Sequence, residues 1–201
     1  MKKFLLFLSF FTCMSVWASD KEVLQQRLDK IDGFYARFSQ EVKTADNQLV
    51  QEGRGDFWVT RPYYFNWTMN EPDKTSIISD GKNMWVYTPA VEQVSVMSLE
   101  KVVDNRLMLL ITDSHNSIWN AYNVTRKQDS FTLKATDGSN QNFVISVLPT
   151  GMISNFTIIE EDGQRSFYDL SHQKLGKIAL DKFKFTPPKG VTIDDQRYKT
   201  W

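Results

Sequence analysis

The sequence predicts a mainly β protein with some α: a large curled antiparallel sheet of about ten or eleven strands, with three short helices over its mouth. Three observations lead there. Apolar residues alternate at period two through residues 34–97 and again through 122–170, the signature of strands with two different faces. The period changes to helical in two places, residues 23–31 and 99–111. No helical pattern separates consecutive strands within either stretch, so neighbours pair as antiparallel hairpins. A sheet of that size curls, and short amphipathic helices need one face of it to cover. Whether the space between them is a lined cavity or a filled core stays open at this level.

Residues 1–18 stand apart. Lys2 and Lys3 precede a nearly uninterrupted apolar run that is too short to span a bilayer, ending at Trp17-Ala18 before Ser19. This predicts a cleaved signal peptide and a single exported domain over residues 19–201. The one Cys, Cys13, would leave with the leader, so the domain would rely on its core without a disulfide. The 24 basic and 24 acidic side chains balance, which argues against nucleic-acid binding by phosphate neutralisation. Loss of Lys2 and Lys3 would leave a slight excess of acid.

At the start of that domain, Ser19-Asp20-Lys21-Glu22 has the spacing of a capping box. Val23, Leu24, Leu28 and Ile31 follow on one helical face, with Gly33 as the expected stop. Phe34, Ala36, Phe38, Gln40 and Val42 then alternate with polar residues as a first strand. Residues 49–60 form a second, in which Gly53 and Gly55 permit a bend. After Arg61-Pro62 comes a third, with Tyr63, Phe65, Trp67 and Met69 on one face. Turn residues at Pro72-Asp73, Asp80-Gly81 and Pro89 delimit three more strands, 75–79, 84–88 and 91–97. Ser98 can cap a helix through Leu99, Val102 and Val103, and a break at Asp104-Asn105 leads to a second helix around Leu107-Met108-Leu109-Leu110-Ile111. Strands then resume at 122–127, 131–135, 142–148, 153–160 and 165–170. Phe183, Phe185 and the Pro187-Pro188-Lys189-Gly190 turn close the chain with a short edge strand.

Catalytic patterns are missing from the sequence. His115 and His172 lie far apart, and no zinc-protease, nucleophile-elbow, Walker or dinucleotide-glycine motif occurs. No enzyme activity, cofactor or metal is therefore expected. What remains is apolar surface plus Arg61, a planar five-donor group at a strand corner stiffened by Pro62. It caps a neighbouring loop, makes a surface ion pair, or latches a covering helix by bonding its terminal carbonyls.

Several segments together resemble one family. They are Gly53-Arg54-Gly55-Asp56-Phe57-Trp58-Val59-Thr60-Arg61-Pro62, Phe65-Asn66-Trp67, Asp80-Gly81-Lys82, Trp85-Val86-Tyr87, Glu92-Gln93-Val94 and Phe185-Thr186-Pro187-Pro188-Lys189-Gly190-Val191. In this order they resemble the periplasmic outer-membrane lipoprotein carrier family LolA. The resemblance implies an unclosed antiparallel β-barrel of about 11 strands covered by a lid of three short α-helices. It implies a periplasmic, monomeric carrier that takes triacylated lipoproteins from an inner-membrane ABC transporter and passes them to the outer-membrane acceptor LolB. Arg61 becomes the lid latch, Leu107, Met108, Leu109 and Leu110 become lid residues, and Phe65, Trp67, Met69 and Trp85 become candidates for the cavity wall. A sensor or store for another hydrophobic ligand on the same scaffold is the alternative. Three acyl chains of about fifteen methylenes, at about 0.8 kcal/mol each, give roughly 36 kcal/mol of attraction to a bilayer, so water alone cannot carry such cargo.

Overall fold

In a computed structural model, residues 18–101, 106–138 and 141–198 are described. The expected signal peptide, apart from Ala18, lies outside these residues, as do Val102, Val103 and the expected break at Asp104-Asn105.

Helix α1 (Asp20–Leu28) begins with the capping box that the sequence spells: Glu22 N donates to Ser19 Oγ at 3.2 Å and Ser19 N to Glu22 Oε2 at 2.8 Å. It buries Leu24 and Leu28. It ends at Leu28 rather than at Gly33, which instead opens the first strand. Eleven strands follow as two meanders. The first comprises β1 (Gly33–Lys43), β2 (Leu49–Thr60), β3 (Tyr64–Glu71), β4 (Thr75–Asp80), β5 (Asn83–Thr88) and β6 (Gln93–Ser98). The second comprises β7 (Tyr122–Lys127), β8 (Ser130–Ala135), β9 (Asn142–Val147), β10 (Ile153–Ile159) and β11 (Arg165–Leu175).

The meanders are joined through their first and last members, β1 and β11, into one open sheet of order β6-β5-β4-β3-β2-β1-β11-β10-β9-β8-β7, and β12 (Thr192–Asp195) is added outside β6. This order explains the lid. β6 and β7 are consecutive in the chain but stand at opposite sides of the sheet, so the segment between them must cross a face. That segment contains helix α2 (Arg106–Thr112), preceded by a 3-10 turn at Leu99–Lys101 and followed by another at Ser117–Ala121.

The sheet curls around this crossing. On a flat sheet, side chains of β3 and β11 would stand about 14 Å apart, three strand spacings of ~4.8 Å. The rings of Trp67 on β3 and Tyr168 on β11 instead meet with centroids 6.5 Å apart. Phe38 on β1 lies between them, stacked on Trp67 at 5.1 Å and edge-on to Tyr168 at 5.9 Å. Gly55 on β2 makes this possible. A Cβ there would sit 2.0 Å from Thr68 O and 2.6 Å from Phe38 Cζ, so only glycine lets the Phe38 ring cross β2 to reach Trp67.

The sequence-based expectations need three corrections. Two α-helices are found among the described residues, not three: the expected helix after Ser98 is a 3-10 turn over Leu99–Lys101 as far as it is described. The closing edge strand comes after the Pro187-Pro188 turn, and it pairs parallel to β6, with Thr192 beside Gln93 and Asp195 beside Val96. Phe183 lies in a 3-10 turn that packs its ring near Tyr64 at 5.7 Å. Finally, Trp85 is on the outer face. Trp67 pairs with Ile77 and Ile77 with Val86, which sets Val86 inward; Trp85 pairs with Ile78 and Val96 on the other side. Its ring meets Phe185 at 5.6 Å. Both alternating sets of β5 are apolar because both faces are covered, the outer one by the C-terminal segment, and strand period alone cannot then choose the inward set.

Candidate functional site

The inner face of the curled sheet and helix α2 enclose the largest apolar assembly of the molecule. Phe65 is fully buried, Met69 and Met84 nearly so, and every residue from Leu107 to Thr112 is buried. With six of its seven residues buried, α2 acts as a plug seated in the barrel. Beneath Arg61, the side chains of Leu28, Ile31, Phe34, Val59, Ile111 and Ile153 close up and leave no room for a water molecule. Further along, Trp67, Ile77, Met108, Phe156, Ile158 and Tyr168 line an apolar cavity of about 70 Å³. That is space for a few atoms, against about fifteen methylenes in one acyl chain. The cavity in this form does not hold a long acyl chain.

Contacts at both ends decide how firmly α2 sits. Arg61 emerges from the β2–β3 corner and reaches both helices at once. Its Nε donates to Thr112 O at 3.3 Å, its Nη1 to Leu28 O, and its Nη2 pairs with Asp29 Oδ1 at 2.9 Å. Thr112 O and Leu28 O are C-terminal carbonyls without an intrahelical partner, at the negative end of each helix dipole, where a guanidinium is favoured. Its side chain is only 12% exposed, which limits screening. Next to it, Tyr63 holds φ at +71°, a left-handed conformation uncommon for an aromatic residue. Its hydroxyl bonds the Asp113 carboxylate just past α2, which raises the phenol above its ordinary pKa. At the other end of α2, Arg106 pairs with Asp137 at 2.6 Å in the β8–β9 turn, and that carboxylate holds the guanidinium pKa up.

α1 has anchors of its own. Arg27, 7% exposed, pairs with Asp129 at 2.6 Å and also donates to Val147 O. Lys30 Nζ donates to Pro149 O at 2.6 Å, and Arg126 N donates to Asp20 Oδ2 at 2.9 Å. Toward the crossing segment, Gln25 Nε2 donates to Ser114 O at 2.6 Å and Lys21 Nζ to Trp119 O at 2.8 Å. α1 is thus tied both to the sheet and to the segment that carries α2.

Of the residues singled out from sequence, Phe65, Trp67, Met69, Leu107, Met108, Leu109 and Leu110 come together in this assembly, with Arg61 at its margin. Trp85 does not. Sequence reasoning overlooked Phe38, Phe156 and Tyr168, which with Trp67 form a continuous aromatic wall; Phe156 stacks on Tyr168 at 4.6 Å. The signal for Phe38 was legible in Gly55, a bulky ring on one strand opposite a glycine on the next. The Arg106–Asp137 pair joins elements whose meeting no local pattern announces.

Comparison with known proteins decides the family. Residues 29–186 match the sequence profile described as outer membrane lipoprotein carrier protein LolA. The chain belongs to the LolA family. An outer-membrane lipoprotein carrier protein of Erwinia tasmaniensis is 47% identical over 192 residues, 94% of this chain and 95% of the relative. Its namesake in Cronobacter sakazakii is 45% identical over 194 residues, 96% of this chain and 95% of the relative. The Yersinia pestis bv. Antiqua (strain Angola) protein is 46% identical over 193 residues, 95% of this chain and 96% of the relative. A solved LolA superfamily protein from Nitrosomonas europaea superposes with a TM-score of 0.49 at 16% identity, covering 84% of this chain and 99% of that one.

Proposed function

We propose that this LolA protein carries lipoproteins through the periplasm with their acyl chains inside the barrel and α2 displaced. The observation that carries this reading is the seat of α2: a buried, mainly apolar plug over an aromatic-lined cavity, held at its ends by polar contacts. Export by the leader at residues 1–18, receipt of triacylated cargo from an inner-membrane ABC transporter, transfer to LolB and action as a monomer complete the cycle.

Arg61 acts as the latch. When the barrel is empty, α2 buries its own leucines against Phe65, Trp67 and Met69. Cargo replaces those contacts with acyl contacts, so net affinity is the difference of two apolar burials. This keeps binding moderate although each burial alone is large, and it allows release without nucleotide. Met69, Met84 and Met108 suit the task, since unbranched thioethers repack around chains of different length.

The test is what the purified protein holds. Organic extraction and mass spectrometry of protein recovered from cells should yield triacylated peptide, and an added acylated peptide should compete with an apolar fluorophore for the barrel. Recovery of some other amphiphile with no acylated peptide would favour the sensor alternative and overturn this reading.

A further inference from the structure

Two polar side chains interrupt the aromatic wall. Gln40 on β1 and Tyr168 on β11 are register partners, each 8% exposed. Gln40 Nε2 donates to the Tyr168 hydroxyl oxygen at 2.8 Å. The phenol oxygen accepts from Gln40, and its O–H remains a donor that can turn toward an acceptor beside it. Gln40 Oε1, more than nine-tenths buried, has no hydrogen-bond partner among the described residues. Burial holds the phenol pKa up to about 12, so the proton stays in place at neutral pH. A hydroxyl that can still donate and an acceptor without a partner among the described residues stand side by side in a wall whose other members are apolar.

Such a pair is unfavourable in a barrel that only stores hydrocarbon, where apolar side chains would fill the same volume. Its position adds to the point. Tyr168 lines the cavity against Met108. Gln40 lies six residues along β1 from Phe34, about 20 Å at ~3.3 Å per residue, and three from the strand end at Lys43. The pair therefore sits near the rim remote from Arg61. A cargo whose polypeptide stays outside the barrel brings the polar roots of its acyl chains to a rim, not to the deepest point.

We propose that Gln40 and Tyr168 form a polar subsite for the amide bond that joins an acyl chain to the cargo's N-terminal residue. The Tyr168 O–H donates to the amide carbonyl, and the amide N–H donates to Gln40 Oε1. This deepens the carrier reading above and rests on it. An ester carbonyl only accepts, so it satisfies Tyr168 and leaves Gln40 unpaired; a secondary amide satisfies both. The subsite therefore selects N-acylated cargo over cargo with a free amine or an ester at that place.

The experiment uses a synthetic triacylated cysteinyl peptide and an analogue in which the acylated nitrogen is replaced by oxygen, each competing with an apolar fluorophore for the wild-type protein. The amide ligand is expected to bind about tenfold tighter, the discrimination of one buried hydrogen bond. Gln40→Met should bind both ligands alike, at the wild-type affinity for the ester. Tyr168→Phe should weaken both by a common factor and keep the tenfold ratio. A cooperative denaturant transition in both variants shows that the fold is intact. Wild-type affinities within twofold of each other, or a ratio that survives Gln40→Met, would overturn the subsite while leaving the carrier reading standing. Failure of both peptides to displace the fluorophore would overturn the carrier reading, and the subsite with it.

Discussion

Replacing Arg61 with Leu removes a side chain that bonds the C-terminal ends of both α1 and α2. Three interactions go: Nε to Thr112 O, Nη1 to Leu28 O, and the 2.9 Å pair with Asp29. Hydrogen bonds that involve a charged partner contribute about 1.5 to 3 kcal/mol each in part-buried settings. These three share one guanidinium and are not additive, and Asp29 keeps a bond from Ser114 Oγ. A net loss of about 3 kcal/mol from the closed state follows, on the order of a hundredfold in the ratio of open to closed forms. Because the closed form competes with cargo, the affinity for acylated peptide should rise by up to the same factor. Transfer to the acceptor should slow correspondingly, since the energy of re-closing no longer helps expel the cargo. Fluorophore competition gives the affinity, and transfer from loaded carrier to immobilised acceptor gives the rate. An Arg61→Leu protein that binds within twofold of wild type and transfers at the wild-type rate would refute the latch.

Other perturbations follow from the same geometry. Gly55→Ala places a Cβ against Thr68 O and Phe38, an overpacking that should cost at least about 2 kcal/mol, seen as a lower denaturant midpoint. Met108→Ala should lower the stability of the empty protein by about 2 to 4 kcal/mol yet tighten binding of an apolar fluorophore, since the cavity of about 70 Å³ gains the vacated volume. Burial raises the Tyr168 phenol from 10.0 to about 12, so the folded state favours its neutral form. That contribution, on the order of 2 to 3 kcal/mol, is complete below pH 10 and is lost as pH rises toward 12. Denaturant midpoints measured across that interval should fall less steeply for Tyr168→Phe than for wild type.

Local pattern was a good guide where one face of the sheet is wet. On β1 the alternation of Phe34, Ala36, Phe38, Gln40 and Val42 marked the buried set correctly, and the capping box placed the start of α1 to the residue. It failed on β5, where Met84 and Val86 face the barrel while Trp85 and Tyr87 face Phe185. The information that assigns those faces lies a hundred residues away, in a C-terminal segment whose parallel strand has no local signature. Arg61 was legible as a group able to bond helix-end carbonyls; that it bonds two helices at once depends on α1 and α2 ending at the same corner. Gln40 read as one more member of an inward-facing set, and only the register with Tyr168 shows that its carbonyl lacks a partner.

The account stands or falls on whether acyl chains occupy the space between the aromatic wall and α2. The most direct measurement is quenching of tryptophan fluorescence by a triacylated peptide with bromine on its acyl chains, compared between wild type, Trp67→Phe and Trp85→Phe. Quenching that disappears in Trp67→Phe and persists in Trp85→Phe is the predicted result. Equal quenching in Trp67→Phe and wild type, or quenching lost only with the outward-facing Trp85, would contradict it.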